Sequence, residues 1–165
     1  MLDDLPIHTI GHADHEMADF VELLRQHSIT VVVDVRSRPY SRWVSQFNRE
    51  LLGHDLEASG IGYHFMGDAL GGRPSDAALY DPGQDRPDYA RLVQRPAYRC
   101  GIERLLALAQ TECIVVMCSE GEYRHCHRHL LLAQTLLQRG ARVVHIRPDG
   151  TVVEGVQVAQ QLTLL

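Results

Sequence analysis

The chain has 165 residues, a net charge of −5, 45% hydrophobic residues and 22% charged residues. That length suits one domain, which buries roughly 70% of its unfolded surface without staples. The negative balance excludes a broad nucleic-acid footprint, and no stretch approaches the apolar length of a membrane span. No signal peptide is read before the first strand, and Cys100, Cys113, Cys118 and Cys126 show no disulfide framework spacing. A cytoplasmic protein with reduced thiols is therefore expected.

In chain order, Ile7–Ile10 reads as a first strand ending at Gly11-His12. Asp14 is placed as an N-cap, and Met17, Phe20, Val21 and Leu24 repeat at helical spacing to about His27. Residues Thr30–Asp34 are β-branched and apolar on both faces, as in a central parallel strand. The order strand, helix, strand implies a right-handed βαβ unit. A loop with Arg36, Arg38 and Arg42 follows. A helix is expected from Asn48 to Ala58 on Leu51, Leu52 and Leu56, ended by Gly60, and then a strand over Ile61–Phe65.

Residues 67–96 are rich in Gly and Pro and read as a lid or binding loop, with a short helix near Tyr89–Val93. Tyr98–Gln110 has the helical set Ile102, Leu105, Leu106 and Ala109. The apolar run Ile114–Met117 ends at Cys118. A polar loop follows, and then a leucine-rich helix from Leu130 to about Gln138. Val143–Ile146 is a further strand, Pro148-Asp149-Gly150 a turn, and Thr151–Val153 a short antiparallel return. A short helix is expected toward Leu165. The pattern predicts a single α/β domain with a mostly parallel, doubly wound sheet and helices on both faces.

Ligands of such sheets bind outside the carboxyl ends of the strands. Those ends carry Gly11-His12, Asp34-Val35-Arg36 and Cys118-Ser119. Nearby loops add Arg38, Arg42, Arg124, His125, His127 and Arg128, with Gly71-Gly72-Arg73 folding over the top. So many cations in one corner imply a bound anion, although Asp34 is the expected carboxylate partner of one arginine. Cys118, between a buried strand and a helix start with arginine and histidine nearby, is either an activated nucleophile or an inert strand-end thiol. Both readings stay open. Cys126 is assigned to core packing, since it shares a helical face with Leu130, Ala133 and Leu137. Cys100 and Cys113 are assigned structural roles. His12 is a general acid or base, or a polar strand terminator, and His127 is a second proton carrier. Tyr80, in the candidate lid, is kept as a pocket aromatic ahead of Tyr40, Trp43 and Tyr63. The Cys118, His125, Cys126, His127 set fits no standard zinc spacing, and neither metal nor cofactor is expected.

Several separated motifs carry a resemblance over most of the chain. Thr9-Ile10-Gly11-His12, Val33-Asp34-Val35-Arg36-Ser37-Arg38-Pro39, Ser41-Arg42, Leu70-Gly71-Gly72 and Met117-Cys118-Ser119-Glu120 with Cys126-His127-Arg128 resemble the bacterial family designated domain of unknown function 488. That resemblance implies a compact cytoplasmic α/β protein without an assigned reaction. The family usually has Ser or Thr where this chain has Ala13. A second resemblance, over about half of the chain, is to rhodanese-like sulfurtransferases. It rests on Asp34-Val35-Arg36 and on Cys118 followed by a helix and Gly140-Ala141-Arg142-Val143, and it implies a persulfide on Cys118. Cys118 and Arg124 also resemble the phosphatase loop of cysteine, five residues, arginine. Met117 stands where those enzymes carry His, and Glu120 and Glu122 put negative charge in the loop.

The expected function is a thiol-dependent enzyme acting on an anionic small molecule or nucleotide, with sulfur-transfer-like chemistry ahead of phosphatase chemistry. Cys118 would attack, and His12 or His127 would move protons. Arg36, Arg38, Arg42, Ser119, Arg124 and Arg128 would hold the anion. Asp34, Gly11, Gly71, Gly72 and Tyr80 would complete the pocket. The alternative is a non-catalytic module that uses the same arginines to hold an anion, a nucleotide or, less favoured, a nucleic acid. No membrane partner is expected, and the sequence does not fix the oligomeric state.

Overall fold

A computed structural model describes residues 6–158 of the chain. Six strands form one sheet: β1 (Ile7–Gly11), β2 (Val31–Asp34), β3 (Gly62–Phe65), β4 (Ile114–Cys118), β5 (Val143–Ile146) and β6 (Val152–Glu154). Their order is β3-β2-β4-β1-β5-β6, and all neighbours run parallel except β6, which returns antiparallel to β5. The doubly wound α/β architecture expected from the sequence is the one observed.

Alternation along the strands splits the core in two. Ile7, Val31, Val33, Ile114, Val116 and Val143 face one way, against α3 (Gly67–Leu70), α4 (Tyr89–Leu92), α5 (Pro96–Ala109) and the helix after β4. Ile10, Val32, Val115, Met117 and Ile146 face the other way, against α1 (Met17–Gln26) and α2 (Arg49–Ala58). Every central strand is covered on both faces, which is why β2 and β4 read as unbroken apolar runs.

The differences from the expected elements are local. Glu16, not Asp14, occupies the N-cap of α1 and makes no side-chain capping bond. Leu51 is solvent-facing, while Leu52 and Leu56 carry the packing of α2. The segment 67–96 holds more structure than expected: α3, a 3₁₀ turn at Ala77–Leu79 and α4, with Asp76 and Asp88 capping the last two. α5 starts at Pro96, in the first turn where a missing N–H costs nothing. The leucine helix starts earlier than expected, as a π-helical turn over Arg128–Ala133 that continues as α6 (Gln134–Gln138). The helix expected toward Leu165 lies outside the described residues. Among those described, no helix is long and apolar enough to cross a membrane.

The sheet order places one crevice above all others. After β1 the chain crosses to β2 through α1, on one face. After β4 it crosses to β5 through the π-turn and α6, on the opposite face. β1 and β4 are neighbours, so their carboxyl ends part company there and leave a switch-point crevice.

Candidate active site at the β1–β4 switch point

The two loops above the crevice are stitched together. Pairing continues past the strand ends, with the His12 and Ala13 amides donating to the Cys118 and Ser119 carbonyls, each at 2.9 Å. Gly11 permits this approach. A Cβ at that position would lie 1.6 Å from the Glu120 carbonyl oxygen. The β4 loop is thereby held over β1 and turned toward the following helix.

Arg128 lies fully buried beneath that loop. Its Nε donates to the Cys118 sulfur at 3.1 Å and its Nη1 to Thr9 Oγ1 at 2.9 Å. Its Nη2 donates to the Glu120 and Gly121 carbonyls, each at 2.9 Å. Among the described residues no carboxylate pairs with it. A guanidinium does not lose its proton in a protein, and an uncompensated buried charge is costly. The titratable group its guanidinium touches is the Cys118 thiol. Burial by itself pushes the Cys118 thiol up, but the Cys126 thiol and the Arg128 charge outweigh it and hold it below the ordinary value. Cys126 lies with its sulfur 2.9 Å from that of Cys118. Its own thiol is pushed well up by this contact and by burial, so the proton is held more firmly on Cys126 than on Cys118.

Behind Arg128 runs a hydrogen-bonded chain. Thr9 Oγ1 accepts from Arg128 and is hydrogen-bonded to His145 Nδ1 at 2.6 Å. His145 Nε2 is in turn hydrogen-bonded to His129 Nδ1 at 3.2 Å. Burial, His129 and Arg128 together lower His145 to about 3, which keeps it neutral. Tyr123 stacks on its ring at 4.2 Å.

A second arginine is arranged in the opposite manner. Arg36 is paired with Asp34 through Nε at 2.9 Å and Nη2 at 2.7 Å, and it also donates to the Phe47 carbonyl. The Tyr63 hydroxyl donates to the same carboxylate at 2.6 Å. His12 stacks on Phe47, donates from Nδ1 to the Ala13 carbonyl and accepts from Arg36 on Nε2. Burial lowers it to about 4, with Arg36 contributing. Both of its nitrogens are occupied and it stays neutral, so it positions Arg36.

The cleft above these groups has a volume of about 260 Å³. Of the residues expected there, Cys118, Ser119, Arg36, Arg38, Gly72 and His127 line it. Arg128, His12, Asp34 and Gly11 stand behind that lining. Gly71 is packed against Ser37, and Tyr80 donates to the Pro74 carbonyl, outside the cleft. Arg42 lies over the exposed Trp43 ring, and Arg124 turns outward onto Glu122. Neither of these two reaches the cleft. The cysteine–five residues–arginine loop is therefore not closed around an anion, and the arginine on the thiol is Arg128.

The lining also includes Arg73 and His125, which the sequence placed at this corner, and Ser37, Asp85, Arg86, Tyr89 and Cys126, which it did not. Cys126 is buried as expected, but against Cys118 and not in the apolar core. Its place two residues before Arg128 was the available signal. Arg86 and Tyr89 come from the segment 67–96 and carried no signal of their own. No ion pair of Arg38, Arg73 or Arg86 is present among the described residues, so the rim keeps a net positive character despite Asp85 and Glu120. His127 Nε2 is buried without a partner, and its Nδ1 lies 3.7 Å from the Cys126 sulfur.

The fold and this strand-end site define a doubly wound α/β protein with a cysteine at its switch point. The family model for Domain of unknown function DUF488 matches residues 16–135, and the chain belongs to that family. No curated protein and no solved structure matches the chain significantly.

Proposed function

We propose that the protein is a thiol-dependent enzyme that binds an anionic small molecule or nucleotide in the cleft and attacks it with Cys118. The observation that carries this reading is the buried Arg128, which pairs with no carboxylate among the described residues and sets its Nε against the Cys118 sulfur. A thiolate is the nucleophilic form of cysteine, and a guanidinium contact is one of the ordinary ways to keep it so. The unpaired Arg38, Arg73 and Arg86 at the rim favour an anionic substrate. Sulfur-transfer-like chemistry is favoured over phosphatase chemistry, because Arg124 faces away and the Glu120 carbonyl is turned onto Arg128.

The burial of Cys118, only 2% exposed, favours a second reading, in which the arginines bind an anion and the thiol packs. The readings part at the thiol. Iodoacetamide labelling of the native protein across pH, read by mass at each cysteine, is expected to modify Cys118 near neutral pH much faster than the exposed Cys100. Labelling slower than Cys100 after exhaustive dialysis against anion-free buffer would leave only the binding module. Under the first reading Arg38→Ala weakens protection of Cys118 by added thiosulfate or phosphate.

A further inference from the structure

We propose that Cys118 and Cys126 form a dithiol–disulfide couple that reduces small disulfides bearing carboxylates, Cys118 attacking and Cys126 resolving. This rests on the reading of Cys118 as the nucleophile and deepens it.

The second thiol is the feature the proposed function leaves unused. An enzyme that attacks phosphorus or an acyl carbon needs one sulfur. Here two buried sulfurs lie 2.9 Å apart, on the end of β4 and on the turn before the π-helix. Both line the same cleft. They are also unequal: Arg128 touches Cys118, whereas His127 Nδ1 stands beside Cys126 at 3.7 Å. An attacking thiol needs a cation to hold it as thiolate, and a resolving thiol needs a base to take its proton. Each sulfur has the neighbour its role requires. Cys113 and the exposed Cys100 stand outside the cleft lining and play no part.

The steps balance as follows. The Cys118 thiolate attacks one sulfur of R–S–S–R. The Cys118–S–R bond forms, the substrate S–S bond breaks, and RS⁻ leaves to take a proton from solvent. Cys126, no longer hydrogen-bonded to a thiolate, gives its proton to His127 Nδ1 and attacks the Cys118 sulfur. The Cys118–Cys126 bond forms, and the second RS⁻ leaves with the proton that His127 returns. The protein is oxidised by two electrons and the substrate is reduced to two thiols. A reducing dithiol resets the couple. The unpaired Arg38, Arg73 and Arg86 at the rim supply the recognition of carboxylates on R.

Fully reduced protein would be mixed with oxidised glutathione, quenched in acid and mapped by mass. The expected result is a Cys118–Cys126 disulfide with two glutathione molecules released per chain. Cys126→Ser is expected to stop with one glutathionyl group on Cys118. The neutral bis(2-hydroxyethyl) disulfide is expected to react at least roughly 10-fold more slowly, because a cationic rim raises the encounter rate of anions. A wild-type chain that retains the glutathionyl group with Cys126 still alkylatable would overturn the resolving role, and this needs no variant to fold. Equal rates for the two disulfides would overturn the preference for carboxylates. Fast iodoacetamide labelling of Cys118 without any exchange would remove the couple but leave the nucleophile. Slow labelling without exchange would remove both.

Discussion

Arg128 and Arg36 solve the same problem in different ways. Arg36 is balanced by a carboxylate at the end of the preceding strand, two residues away. Arg128 has two carbonyls, a hydroxyl and a thiol. Removing one member of a buried charge pair leaves the other uncompensated, which costs about 3–5 kcal/mol. Cys118→Ser is expected to fall in that range, although serine differs from cysteine by one atom and fits the same space. Cys100→Ser, at an exposed position, is expected to stay within about 0.5 kcal/mol of wild type. Urea unfolding of both variants checks this. A Cys118→Ser protein as stable as wild type would mean that Cys118 is neutral in the fold. Gly11 gives a second test at this scale. A methyl there collides with the Glu120 carbonyl, so Gly11→Ala must displace the loop that caps Arg128. It is expected to cost about 1–3 kcal/mol, as overpacking does. It is also expected to slow Cys118 labelling, which a purely local strain would not do.

At the scale of elements, the site is made by β4, its loop and the π-helical turn. A π-turn is one residue wider than an α-turn, and such turns are frequent at functional sites. Here Leu131, Leu132 and Leu136 pack into the core while Arg128 and His129 reach under the β4 loop. Deleting Leu130 is expected to restore α-helical winding and swing Arg128 by about 100° relative to α6. The far-ultraviolet circular dichroism should stay near wild type and the fast labelling of Cys118 should be lost. A deletion protein that labels at the wild-type rate would show that the turn is not what aims Arg128. The sequence could not show this turn. Its leucines at 130–132 and 136–137 satisfy helical spacing either way, so the start was read late and Arg128 was placed at the surface of an anion pocket. The strands, in contrast, were legible nearly to the residue, because β1, β2, β4 and β5 are buried on both faces and their apolar runs have no competing period. The pairing of Asp34 with an arginine was legible from proximity. Arg86 and Tyr89 were not, since only tertiary folding of the Pro- and Gly-rich segment brings them to the β1–β4 crevice.

For the whole molecule, the histidines make stability depend on pH in a definite direction. His145 is fully buried and neutral, held at about 3 by burial and by its neighbours His129 and Arg128. His12 is held at about 4, mainly by burial. His8 and His129 are lowered too, burial leading in both. In the unfolded chain each binds a proton near 6.5. Between that value and the folded value the unfolded state holds more protons, so the stability these groups allow is complete above about 6.5 and falls as pH falls. It stops falling from this source only below about 3, where the folded state also takes up the protons. Between their folded values and 6.5, His145 and His12 each contribute a slope of about 1.4 kcal/mol per pH unit. His145 and His12 together are therefore expected to give close to twice that slope near pH 5. Urea unfolding at half-unit intervals from pH 7.5 to 4.5, with proton uptake measured on unfolding, reads the slope directly. His145→Gln keeps hydrogen-bonding capacity toward Thr9 and His129 but removes one titrating group. Its curve is expected to lie below wild type at pH 7.5 and to converge toward it as the pH is lowered. Parallel curves would mean that His145 binds its proton as readily in the fold as in the unfolded chain, and that burial does not hold it neutral.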